Sequence, residues 1–268
     1  KNINHLDYKI YSQNGEDGII DYLLCSLNIL KPKFIEIGVG DYSESNTRFF
    51  FERTSAKGLI VDCIDDLNKK VSQNIKLWKG DLNIVEKKIT SENIVNLLKK
   101  ENFLDNIDFF SIDIDGIDYW AIKEMPKNFS KIVVLEYNST FGPNLEITVP
   151  NLIDFDRTNY HYSNLCYGMS ITAAINLMKE KNFYFIGTNL LRNNAFFISN
   201  DFNKSEYFKN LVVENLHSST ESNLRESRDK KGNLSLLSSK SKIDIIKDCD
   251  VIDLSKNEKR TTKIKDLI

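Results

Sequence analysis

The sequence is poor in the residues that most often build a metal centre or a disulfide framework. Its 268 residues include only three histidines and four cysteines. Cys25, Cys63, Cys166 and Cys249 are widely spaced and form no CxxC pair. They fit free thiols in a reducing cytoplasm better than disulfides or zinc. No apolar stretch approaches the ~20 residues needed to cross a bilayer, and no signal-peptide core opens the chain. Lys and Arg number 36 against 38 acids, a formal net charge of −2. No basic stripe carries interleaved aromatics, so nucleic acid is not an expected partner. No internal repeat is present. What remains is a cytoplasmic globular chain, long enough for one sizeable core or one domain with an appendage.

Five apolar runs punctuated by helical spacing organise the first half. Ile19, Ile20, Leu23, Leu24 and Leu27 predict a helix over Gly18 to Leu27. Strands are expected at "KFIEIGVGD", "KGLIVDCID", "NIKLWKGDL", "IDFFSIDID" and "KIVVLEYN", with helices at Ser91 to Lys100 and around Tyr119 to Glu124. Strands apolar throughout belong to a parallel sheet covered by helices on both faces, an α/β fold. Residues 139–167 are rich in Asn, Pro, Tyr and Asp without periodicity, as in a lid or substrate loop. "GMSITAAINLMKEK" predicts a helix, and "NFYFIGTNLLRNNAFFISN" an antiparallel strand pair at the sheet edge. The expected division is a domain over 1–217 and a C-terminal appendage over 218–268, packed on the domain or on a partner subunit of a homo-oligomer. A disordered tail is the alternative.

"FIEIGVGDYSESNT" combines a strand with a turn at Gly38 and Gly40. Glycines let backbone turn tightly and approach a ligand. A dinucleotide fingerprint wants a third glycine where Ser43 stands, and Asp41 and Glu44 place negative charge where a pyrophosphate would sit. Glu36 at the strand end suits a cation. S-adenosylmethionine carries an ammonium and a sulfonium and no phosphate, so the electrostatics favour it over NAD. Asp62, 22 residues beyond Gly40, is placed to accept from a ribose diol. Asp81 in "WKGDL" is the candidate for the adenine amino group. Singly, each acid is more often a turn or cap residue; three at successive strand ends point to an adenosyl site.

With these segments in view, the sequence resembles FkbM-like S-adenosylmethionine-dependent methyltransferases. The matching pieces are "YSQNGEDGII", "FIEIGVGDYSESNT", "FFSIDIDGIDYW", "VVLEYNSTFGP" and "NNAFFISN", in that order, over residues 11 to about 200. The resemblance implies a Rossmann-like class I methyltransferase sheet, parallel in order 3-2-1-4-5 with an antiparallel pair added. It implies methyl transfer to a hydroxyl, often of a sugar or another natural-product precursor. It assigns Glu36, Gly38 and Gly40 to the cofactor turn, Asp62 to the ribose and Asp81 to the adenine side, and sets Gln13 and Glu16 against the cofactor. Two departures stand out: "DY" replaces a further glycine after the turn, and "IDIDGID" replaces the commoner "IDVEG".

Side chains alternate along a strand, so Asp113 and Asp115 share one face, as do Glu136 and Asn138 on the next strand. If the two strands are neighbours, four oxygen-bearing groups converge where open α/β sheets bind ligands. Methylating an alcohol requires removal of its proton, by a positioned base or through a hard cation that lowers the hydroxyl pKa. Oxygen ligands suit Mg²⁺ or Mn²⁺. The resulting assignment sets Asp113 toward the cofactor, Asp115, Glu136 and Asn138 around a metal or hydroxyl, and Asp118 as the base. The bland alternatives are a helix cap for Asp118 and an ion pair for Glu136. His161 is the other candidate base. Tyr160, Tyr162 and Tyr167 could line a sugar pocket, and Arg225 and Arg228 could hold a substrate phosphate. The expected activity is O-methylation of a sugar hydroxyl, on a nucleotide-linked sugar or polysaccharide precursor. Methylation of another small-metabolite oxygen or nitrogen, and a non-catalytic adenosyl-binding module, are the competitors.

Overall fold

The computed structural model describes residues 2–202, 227–237, 239–256 and 258–268. Five strands run parallel: β1 (Lys33–Ile37), β2 (Lys57–Asp62), β3 (Asp81–Glu86), β4 (Phe109–Ile112) and β5 (Ile132–Glu136). β7 (Phe183–Thr188) and β8 (Asn194–Ser199) form a hairpin whose second strand pairs antiparallel with β5. The sheet order is β3-β2-β1-β4-β5-β8-β7. This is the Rossmann-like methyltransferase arrangement expected from the sequence.

Both faces of the sheet are covered because both faces are apolar. On one, α1 (Glu16–Ser26), α2 (Arg48–Thr54) and α3 (Leu67–Asn74) bring Ile19, Phe50 and Val71 against Phe34 and Ile60. On the other, α4 (Ile94–Lys100), α5 (Asp118–Glu124) and α7 (Ile171–Glu180) bring Leu98, Ile122 and Leu177 against Ile35 and Leu59. Alternation therefore sends Glu36, in step with Phe34, toward the α1–α2 face.

The third strand departs from expectation. Residues 77–79 form a 3-10 turn with Trp78 left 80% exposed, and β3 starts only at Asp81. Gly80 lies against the Phe51 ring and the Ala56 carbonyl, where a Cβ would come within 2.5 and 2.6 Å of them. β3 pairs with β2 alone and is half exposed, so its sequence "DLNIVE" carries no continuous apolar signal.

Residues 139–167 are more ordered than their composition suggests. They contain β6 (Ile147–Thr148) and the single-turn α6 (Arg157–Tyr160). β6 pairs with β9 (Asp250–Asp253), which pairs with β10 (Arg260–Lys263), giving a second sheet of order β10-β9-β6. Ile147, Val149 and Leu165 share a third core with Ile246, at the end of α8 (Ser239–Ile246), and with Val251 and Ile264. The later segment thus packs on residues 139–167, the loop expected from the sequence to meet a substrate. No helix among the described residues is long and apolar enough to cross a membrane.

Candidate active site

The carboxyl ends of β1 and β4 meet so closely that only glycine fits between them. Gly38 has φ +84°, and a Cβ there would lie 1.6 Å from the Asp113 carbonyl oxygen. The Gly38 amide donates to Val61 at 2.9 Å and the Asp113 amide to Ile37 at 2.9 Å, fixing the turn to its neighbours on both sides. Gly40 also has positive φ, and its amide donates to Asp62 Oδ2 at 2.8 Å.

Glu36 borders a small cleft at this turn, with its oxygens engaged by the protein's own donors. Its carboxylate is buried at the start of α2, where it accepts from the Asn46 amide (2.8 Å), the Ser45 hydroxyl (2.6 Å) and the Thr47 amide (3.1 Å). Burial pushes its pKa up, and these hydrogen bonds work against that rise. A helix N-terminus is where a dinucleotide pyrophosphate would dock. Here the protein's own carboxylate occupies that position.

Two clefts join at this turn. The larger, of about 620 Å³, is bordered by Asp62, Lys87 and Lys88 at the ends of β2 and β3, by the segment after β4, and by Phe155 and Arg157 of the substrate loop. The smaller, of about 260 Å³, is bordered by Gln13, Glu16, Glu36, Asp41, Glu44 and Asn194. Gly38, Gly40 and Asp113 border both. Asp62 is held at the edge of the large cleft by the Gly40 amide and by the Ile64 amide at 3.1 Å.

Glu16 is a clamp. It accepts from the Asn14 amide (2.8 Å) and from the side-chain amides of Asn189 (2.8 Å) and Asn194 (2.7 Å), tying the front segment to the β7–β8 hairpin behind the small cleft. Asp17, given no role by the sequence reading, gathers the amides of Ile10, Tyr11 and Ser12 on one oxygen at 2.7–2.8 Å. Gln13 lies at the exposed rim of the small cleft.

Three carboxylates converge at the ends of β4 and β5. One oxygen from each of Asp113, Asp115 and Glu136 lies within 4.8 Å of the other two. Burial foremost, then the Asp115 charge, pushes the Asp113 carboxyl up to about 8. Burial and the Asp113 charge hold Glu136 well above the usual carboxylate range. Glu136 Oε2 is buried with no donor to satisfy it. Two bare carboxylates repel at this separation, so the Asp113 charge adds to burial in raising Glu136. Asp115 is exposed at φ +54° and ion-pairs with Arg157. The Arg157 Nε donates to the Asn164 carbonyl at 2.7 Å, and its guanidinium lies 4.0 Å from the centre of the Tyr167 ring. Arg157 is the main residue the sequence reading missed. It stands in a polar loop without periodicity, where one arginine looks like any solvated charge.

Several expected roles are corrected by geometry. Asn138 uses its amide to hold the loop: Nδ2 donates to Leu165 (2.8 Å) and Tyr167 (3.0 Å), and Oδ1 accepts from the Thr140 amide (3.0 Å). It is buried and borders neither cleft. Asp118 is buried and accepts from the Ile114 and Gly116 amides at 2.9 and 3.0 Å, so it shapes the turn before α5 instead of serving as a base; burial raises its pKa to about 6. Asp81 opens β3 at the opposite end of the sheet and pairs with Lys57 at 3.0 Å. Lys87 and Lys88 stand where it was expected. His161 borders neither cleft; its Nδ1 lies 2.7 Å from Ser163 Oγ, and burial lowers its pKa.

Of the tyrosines, Tyr167 is buried beneath Arg157, Tyr160 donates to the Asp250 carbonyl at 2.6 Å, and Tyr162 is exposed. Arg228 meets the Ser163 carbonyl through its backbone amide at 3.1 Å. Arg225 lies outside the described residues.

Neither a protein-family model nor a curated protein matches the chain. Among solved structures, it is similar to an S-adenosylmethionine-dependent methyltransferase from Clostridium acetobutylicum, with 10% identity over 67% of this chain and 89% of that one, at a TM-score of 0.42. It is also similar to a SAM-dependent methyltransferase from Aquifex aeolicus, with 9% identity over 66% of this chain and 86% of that one, at a TM-score of 0.35. An O-methyltransferase family protein from Burkholderia thailandensis shares 11% identity over 68% of this chain and 57% of that one, at a TM-score of 0.38. Likenesses this distant carry no reading of activity, which must come from the clefts and the acids themselves.

Proposed function

We propose that the chain is an S-adenosylmethionine-dependent O-methyltransferase whose acceptor is a sugar hydroxyl, on a nucleotide-linked sugar or polysaccharide precursor. The observation that carries this reading is the pair of clefts joined at Gly38, Gly40 and Asp113, beside a helix start already filled by Glu36. A ligand lying across the turn must be long and bent, with no phosphate at its middle. S-adenosylmethionine fits that description and supplies a methyl group on an electrophilic sulfonium. Asp62 accepts from the ribose diol in the large cleft. The acids bordering the small cleft receive the ammonium, and Asp113 sits at the junction of the two clefts, beside the sulfonium. The resemblance of five sequence segments to FkbM-like methyltransferases supports the same assignment.

The acceptor enters the outer part of the large cleft, where Phe155 offers a ring face and Asp115, Arg157 and Asn164 offer polar groups, a mixture suited to a polyol. Its oxygen attacks the methyl carbon as the carbon–sulfur bond breaks, and the hydroxyl proton passes to Asp115. The all-oxygen set of Asp113, Asp115 and Glu136, one of whose buried oxygens lacks a donor, also fits Mg²⁺ or Mn²⁺, which would lower the acceptor pKa there.

Titration calorimetry should detect S-adenosylmethionine binding and none of NADH. Methyl transfer to a panel of nucleotide sugars, with and without EDTA, then reads the acceptor and the metal together. Binding without turnover on any oxygen or nitrogen acceptor would leave an adenosyl-binding module. NADH binding would overturn the proposal.

A further inference from the structure

The four cysteines divide into two exposed residues, Cys25 and Cys63, and two buried ones, Cys166 and Cys249. The buried pair belongs to the third core, one on each side of the contact between the substrate loop and the later segment. Both backbones are pinned. Cys166 lies between Leu165 and Tyr167, whose carbonyls accept from Asn138. Cys249 donates its amide to Ile246 at 2.9 Å and accepts from the Ile264 amide at 3.3 Å. The neighbouring Asp250 carbonyl accepts from the Tyr160 hydroxyl, a second tie between the same two segments. Both side chains lie in that one buried cluster, close enough for each thiol to perturb the other's pKa.

We propose that Cys166 and Cys249 form a reversible disulfide that fastens the substrate loop to the β9–β10 segment under oxidising conditions. With a low-molecular-weight disulfide such as glutathione disulfide, the Cys249 thiolate attacks one sulfur and expels one thiolate, giving a mixed disulfide. Cys166 loses its proton to solvent and attacks the Cys249 sulfur, releasing the second thiol. Two protein thiols are oxidised and one disulfide is reduced to two thiols, so atoms and electrons balance. Exposure sets the order of events. Cys249 is 8% exposed and Cys166 fully buried, so the disulfide reagent meets Cys249 first.

The test uses the full chain and a Cys25→Ser/Cys63→Ser variant that keeps only the buried pair. After incubation with glutathione disulfide, peptide mapping should find the Cys166 and Cys249 peptides joined and lighter by two hydrogens. Closing so long a loop should raise Tm by about 5–10 °C, reversibly with dithiothreitol. Cys249→Ser should abolish both effects. A chain that takes up glutathione at Cys25 and Cys63 alone would overturn the proposal. So would a mixed disulfide at Cys249 that never closes, or a cross-link that lowers Tm and so belongs to the unfolded chain.

Discussion

Asp7 shows how a single carboxyl can set a pH response. One oxygen accepts from the Leu190 amide at 2.7 Å, the other is buried without a partner, and burial pushes the pKa up to about 7. The folded chain therefore holds a proton that the unfolded chain releases from about pH 4 upward. Stability from this group is full below pH 4, declines as pH rises, and is lost above about 7. A plot of Tm against pH should fall less steeply between 4 and 7 for Asp7→Asn than for the parent; parallel curves would show that Asp7 does not titrate in this range. Glu36 makes a complementary case. Glu36→Ala strands buried donors at the start of α2 and should cost about 2–4 kcal/mol in urea unfolding. Its chemistry was legible in the sequence, as a carboxylate at a glycine turn, but its partners were not. They are the amides and hydroxyls of residues 45–47, some ten positions further along the chain. The same limit affected Asp118 and Asn138, whose partners are backbone groups that no side-chain pattern announces.

At the scale of elements, the parallel strands were legible because burial on both faces leaves uninterrupted apolar runs. β3 was misplaced because an edge strand needs no such run, and β6 escaped notice because two residues carry no period. The substrate loop is held by Asn138, by the ion pair of Arg157 with Asp115, and by pairing with β9. Asn138→Ala should cost about 1–3 kcal/mol and leave the loop untethered from β5. The proposed activity then sharpens the expectation: KM for the acceptor should rise at least about tenfold, while cofactor affinity changes little. Equal weakening of both would place Asn138 in the cofactor site. Arg157→Met should likewise spare cofactor binding and lower acceptor kcat/KM by about ten- to a hundredfold, since a guanidinium beside three acids balances charge that a thioether cannot.

For the molecule as a whole, the two sheets divide the labour of the site. The small cleft is lined by the segment before α1, the start of α1, the loop after β1 and residues at the ends of the seven-stranded sheet. The β10-β9-β6 sheet braces the loop that walls the large one. A chain stopped after residue 237 should keep S-adenosylmethionine affinity within about tenfold and lose acceptor binding. Calorimetry on each ligand separates the two outcomes, and loss of both would mean that the sheets fold as one cooperative unit. Because β9 is the middle strand of its sheet and follows all seven strands of the other in sequence, the ribosome emits the brace after the frame. On the proposed function, a nascent chain would lodge its methyl donor early, yet have no finished berth for the acceptor until β9 pairs with β6.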